Sequence, residues 1–149
     1  MAGLSRLEIR FFYFYFLLHI PITLLIDSAV VIPPKFRIAG WLLEQHIAQN
    51  NDFLLWDRPM WLQVFVALEL IVQLPLFFQF AKQLRRNSVP RRSLKLYGLL
   101  ASTTTLVCIG AILEGHYPGT AIPMTSLDKG KLVCVYLPTF LLPFRLVLL

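Results

Sequence analysis

Asp27 and Glu69 are carboxylates set inside stretches that are otherwise long and apolar enough to cross a membrane. A charged acid at the centre of a spanning helix costs about 3 kcal/mol on insertion scales. A chain that keeps two of them places them against each other, in a cavity, or opposite a cationic ligand. Their neighbours are polar at helical spacing. His19, Thr23 and Asp27 follow at intervals of four, and each such step turns the helix by only about 40°, so the three share one broad face. Glu69 and Gln73 are also four apart, with Pro75 following. A third apolar stretch offers Ser102, Thr103, Thr104 and Thr105, and a fourth offers Tyr136, Thr139 and Arg145.

Each of these polar groups also has a plainer reading. Ser, Thr, Gln and His serve as glue between membrane helices, each worth around 0.6 kcal/mol. For Ser102 to Thr105 as a group, glue is the simpler account. For the two acids the balance reverses, because an intramembrane acid is a functional hypothesis by default. Arg145, four residues from the end, is expected to reach the membrane surface and not to pair with either acid. Asp27 lies five residues before Ile32, roughly 8 Å below the end of its span, and Glu69 lies nine after Met60, roughly 14 Å in from the same side. The two can therefore meet. If they do, both cannot easily ionise in a low dielectric, and a pair holding one proton keeps one negative charge, suited to a single ammonium group.

The elements that must position these groups are legible in the composition. Of 149 residues, 57% are hydrophobic and 15% charged, and the mean hydropathy is +0.67. An ordinary soluble domain has about 25% charged residues. The excess lies in four segments of 18 to 22 residues, at 11–32, 60–81, 94–113 and 132–149. About 20 residues span a hydrocarbon core. The fold expected is an all-α membrane protein, a bundle of four spanning helices forming a single domain over 1–149. Pro21, Pro75, Pro138 and Pro143 fall in three of the spans and predict kinked helices, which need not close tightly at the centre. Prolines are common in membrane helices, so on their own they imply no function. Arg6, Arg10 and the apolar run after them have the look of a signal peptide. No small-residue cleavage site follows and the apolar stretch continues to Ile32, so a retained first span is expected.

A net charge of +6 raises the possibility of nucleic acid, but the distribution argues against it. Six of the fourteen basic residues (Lys82, Arg85, Arg86, Arg91, Arg92, Lys95) lie between the second and third spans with no acid among them. The positive-inside rule then puts that loop and both termini in the cytoplasm. Contact with anionic headgroups is a further use for the loop, with a topology signal the simpler one. In the first loop, Phe36, Gly40, Leu43 and Ile47 recur at spacings of four, three and four. That predicts a short amphipathic helix on the luminal surface or capping the bundle, broken by Asn50, Asn51 and Asp52. Trp56 and Trp61 flank the start of the second span, as suits indole rings at an interface. His116, Tyr117, Pro118, Gly119 and Pro123 predict irregular turns. Cys108 and Cys134 are expected to pack as small apolar residues. No metal-ligand spacing, glycine-rich phosphate loop or cofactor motif is present.

The run His19-Ile20-Pro21-Ile22-Thr23-Leu24 with Asp27, then Glu69-Leu70 and Gln73-Leu74-Pro75 with Phe77, resembles the sigma-2 receptor (transmembrane protein 97) family. Thr104-Thr105-Leu106, Val135-Tyr136, Pro138 and Leu142-Pro143-Phe144 continue the resemblance through all four spans, and Pro59 and Trp61 extend it to one loop. That family belongs to the EXPERA group, with the sterol isomerase emopamil-binding protein. The resemblance implies a multi-pass endoplasmic-reticulum protein, often a homodimer, whose lateral pocket binds sterols and cationic amphiphiles. It further implies a role in sterol homeostasis and a sterol-transporter partner, the Niemann–Pick type C protein. By resemblance the acid at Asp27 pairs with the ligand amine and that at Glu69 holds its proton and supports the first. By the same resemblance Gln73, Thr105 and Tyr136 line the site, and His19 and Thr23, on the helix face of Asp27, are expected to be ligand-binding residues too.

Two departures bear on function. Thr139 stands where an aromatic residue usually lines the pocket, which points to a different ligand preference. The sequence ends at Leu149, before the basic tail that helps retain family members in the endoplasmic reticulum. Either that tail lies outside this sequence or retention works by another route. The isomerase branch carries a His and a Glu one turn apart in the first helix, and here the pair reads His19 and Thr23. The acid is missing and Asp27 lies one turn too far, so the chain is expected to bind and not to catalyse. The alternatives are an isomerase-like enzyme and a scaffold for other membrane proteins.

Overall fold

The computed structural model of the chain describes residues 3–115 and 124–149. The predicted turns at His116 to Gly119 and at Pro123 lie outside the described residues. Among the described residues the secondary structure is helical, with no strand. The order is α1 (Arg6–Leu25), a 3₁₀ turn (Asp27–Val30), a second 3₁₀ turn (Pro34–Phe36), α2 (Gly40–Asn50) and α3 (Phe53–Asp57). Then come α4 (Met60–Leu68), a π-helical turn (Glu69–Gln73), α5 (Leu74–Arg85), α6 (Arg91–Glu114) and α7 (Ser126–Val147). Four segments are long and apolar enough to cross a membrane: Arg6–Val30, Met60–Arg85, Arg91–Glu114 and Ser126–Val147.

Local chemistry sets where these helices begin and end. Ser5 and Glu8 close a capping box at the start of α1, and Thr125 and Asp128 do the same for α7. Gly115, at a φ of 75°, ends α6 in the left-handed conformation open to glycine, its N–H bonded to the Ala111 carbonyl. The prolines do not end their helices. Pro21, Pro138 and Pro143 are carried inside α1 and α7, while Pro75 is the second residue of α5, just past the π turn.

α1 packs along α5, and α6 packs along α7. Gly98 makes the second pairing possible: a Cβ there would sit 2.5 Å from the Pro143 carbonyl oxygen. The interior divides into two clusters. One gathers Phe12, Phe16, Phe77, Phe80, Leu84, Leu94, Tyr97 and Leu146, with Leu4 and Val89 against it. It therefore ties together both chain ends and the connection between α5 and α6. Arg145 closes this end by pairing with Glu8, Nη2 to Oε1 at 2.7 Å, and not with either membrane acid.

The second cluster lies at the opposite end and gathers Val30, Leu43, Ile47, Phe53, Leu54, Leu55, Leu62, Ile112 and Leu132. Here α2 is the predicted amphipathic helix, and it caps the bundle through Leu43 and Ile47. Phe36 falls outside it and is exposed. The sequence reading missed α3, yet Phe53, Leu54 and Leu55 are all buried. Burying each such side chain is worth roughly 1.5–3 kcal/mol where the alternative is water.

Candidate functional site

Between the two clusters lies a cavity of about 340 Å³. Its floor is aromatic: Tyr15, Phe77 and Tyr97, with the Phe77 and Tyr97 rings 5.5 Å apart edge to face. Its opposite end is formed by Leu55, Leu62, Phe65 and Val66. Asp27, Glu69, Gln73, Thr105, Tyr136 and His19 all line this space, and so do Thr104, Thr139 and Cys108. Thr23 does not line it. It is fully buried behind the wall and donates to Glu69 Oε1 at 2.7 Å.

Both acids sit at irregularities of their helices. Asp27 opens a 3₁₀ turn just after α1 ends, and Glu69 opens the π turn, where the Leu74 N–H reaches back to the Glu69 carbonyl. A π turn inserts an extra residue, which rotates the side chains that follow relative to those before it. Gln73, at its last position, is buried and faces the same cavity.

His19 Nδ1 lies 3.1 Å from the Tyr15 carbonyl. A carbonyl only accepts, so Nδ1 carries the proton and Nε2 of the neutral ring remains an acceptor. The Tyr15 and Tyr97 hydroxyls bond each other at 3.1 Å on the cavity floor. Within the run Ser102 to Thr105 of α6, Thr105 reaches another helix, donating to the Thr139 carbonyl at 3.4 Å. Ser102 and Thr104 bond carbonyls of their own helix and Thr103 is exposed, so the expectation of interhelical glue holds for Thr105 alone.

In the sequence Asp52 is a loop acid that breaks the amphipathic pattern, with no sign of a place at the site. Its side chain is fully buried and receives three donors: the Leu55 N–H at 3.1 Å, the Tyr136 hydroxyl at 3.0 Å and His46 Nε2 at 3.4 Å. Asn50 in turn lies 3.4 Å from His46 Nδ1, which leaves Nε2 as the ring's donor to Asp52. Tyr136 and His46 both line the cavity, so a loop acid fixes one end of it. Among the described residues no cluster of His, Cys, Asp or Glu could hold a metal ion.

Residues 38–148 match the model of the EXPERA (EXPanded EBP superfamily) family. The chain belongs to that family. It is 46% identical to Efficient mitochondria targeting-associated protein 19 of Saccharomyces cerevisiae, over 96% of this chain and 97% of that protein. It is 35% identical to Sigma intracellular receptor 2 of Xenopus tropicalis, over 99% of this chain and 90% of the receptor. The human Sigma intracellular receptor 2 is 30% identical, over 90% of this chain and 81% of the receptor. Family and helices together make the chain a multi-pass membrane protein of the sigma-2 receptor type. The resemblance seen in the motifs is thus a family relationship along nearly the whole chain.

Proposed function

We propose that this chain is an endoplasmic-reticulum protein that binds sterols and cationic amphiphiles in the cavity between its two clusters, with a role in sterol homeostasis. The observation that carries the reading is the joint placement of Asp27 and Glu69 on one largely apolar cavity, with the Thr23 hydroxyl donating to Glu69 from behind its wall. The cavity's size falls in the range of small-molecule sites. Asp27 meets the ligand ammonium, Glu69 shares the pair's proton and holds Asp27 in place, and Gln73, Thr105, Tyr136 and His19 shape the remaining wall. By the positive-inside rule the loop with Lys82 to Lys95 and both termini face the cytoplasm, so the acids lie in the luminal half.

Binding without catalysis fits the site. An isomerase needs a proton donor and an acid flanking the sterol. One turn beyond His19 stands Thr23, buried and bonded to Glu69, out of reach of any occupant. Saturation binding of a tritiated cationic amphiphile to membranes carrying the chain tests the reading, with an unlabelled sterol as competitor. Displacement by the sterol is expected, and absence of saturable binding contradicts the proposal. Growth of a sterol-isomerase-deficient strain on this chain would overturn the non-enzymatic part.

A second reading is favoured by the name of the yeast relative: the chain assists mitochondria targeting as a partner or scaffold of other membrane proteins. Under that reading a co-purifying protein survives substitution of both acids. Loss of the partner in Asp27→Asn returns the function to the cavity.

A further inference from the structure

Lys82 and Arg85 stand three apart on one face at the end of α5, and Arg86, the residue that caps it, adds a third cation. They rim a groove on the outside of the bundle, between α1 and α5 and apart from the central cavity. Tyr13, Leu17 and Ile20, spaced four and three apart, form its α1 wall. Phe78, more than half exposed, forms the other wall, and Ala81 is small enough to leave the groove open between them. Among the described residues no carboxylate pairs with any of the three cations. Glu8, on the same helix as the α1 wall, is taken by Arg145.

A topology signal requires only that cations sit on the correct side of the membrane. It does not require that they head an apolar channel running down the bundle. Arg91, Arg92 and Lys95 belong to the same basic segment and do not line the groove, so the structure separates two sets of equal charge. A ligand matched to the groove carries negative charge at one end and a hydrocarbon chain at the other. A zwitterionic headgroup leaves the three cations largely uncompensated, and free phosphate makes no use of the apolar walls. We propose that this groove is a binding site for an anionic glycerophospholipid. Its phosphate lies among Lys82, Arg85 and Arg86, and one acyl chain lies between Leu17, Ile20 and Phe78.

The test is native mass spectrometry of the full chain, released from detergent after addition of palmitoyl-oleoyl phosphatidylserine or the matching phosphatidylcholine. Phosphatidylserine adducts are expected to survive collision energies that strip phosphatidylcholine. Substituting Lys82, Arg85 and Arg86 together by Gln should lower phosphatidylserine retention to the phosphatidylcholine level. The same change at Arg91, Arg92 and Lys95 should leave it intact. Leu17→Trp, which fills the groove without altering charge, should also weaken retention. Binding of the tritiated amphiphile reports that each variant is folded. Equal retention of the two lipids, equal loss in both triple variants, or displacement of the lipid by millimolar inorganic phosphate would each overturn the proposal.

Discussion

At the scale of single residues, what was visible in the sequence followed from cost. Asp27 and Glu69 stood out because an acid in an apolar stretch is expensive. Asp52 did not, because a carboxylate in a polar loop costs nothing until the loop is buried. The one signal it offered is its place before Phe53-Leu54-Leu55, the N-cap position of a short helix. Tyr136→Phe takes one donor from this buried acid, and we expect a loss of about 1–3 kcal/mol of stability, read by thermal unfolding in detergent. An unchanged melting temperature would show that the loop is held without that bond. Thr23 carried the opposite lesson: it was expected to face a ligand and instead holds Glu69 from behind. Thr23→Val keeps the shape and removes the hydroxyl, so amphiphile affinity should fall about tenfold, the effect of one lost hydrogen bond to a carboxyl group. Unaltered affinity would reduce Thr23 to packing.

At the scale of elements, the four spanning helices were legible because hydropathy alone specifies them. The irregular turns were not. Nothing in the composition specifies the type of either turn, 3₁₀ at Asp27 or π at Glu69. Pro75 pointed to an interruption near Glu69 without giving its type. The close approach of α6 and α7 rests on Gly98, whose missing side chain faces the Pro143 carbonyl. Gly98→Ala should destabilise the protein by about 1–3 kcal/mol through overpacking. A neutral result in the same unfolding assay would mean that the two helices can separate without penalty.

At the scale of the molecule, two packed ends with a cavity between them explain how a small membrane protein keeps an open interior. The aromatic cluster ties the termini to the connection between α5 and α6, while α2 and α3 close the other end. Kinked helices predicted incomplete closure, but the capping role of α3 emerges only from the packing of Phe53, Leu54 and Leu55. The proposed orientation rests on the basic loop. A cysteine placed at Asn87, in a chain with Cys108 and Cys134 replaced by Ala, should react with a membrane-impermeant maleimide from the cytosolic side. Labelling from the lumen would invert the topology. The central claim is that Asp27 and Glu69 form one cationic-ligand site, and equilibrium binding of a tritiated cationic amphiphile to Asp27→Asn and Glu69→Gln tests it most directly. Both variants should fold and lose more than about tenfold in affinity, at least 1.4 kcal/mol, and wild-type affinity in both would contradict it.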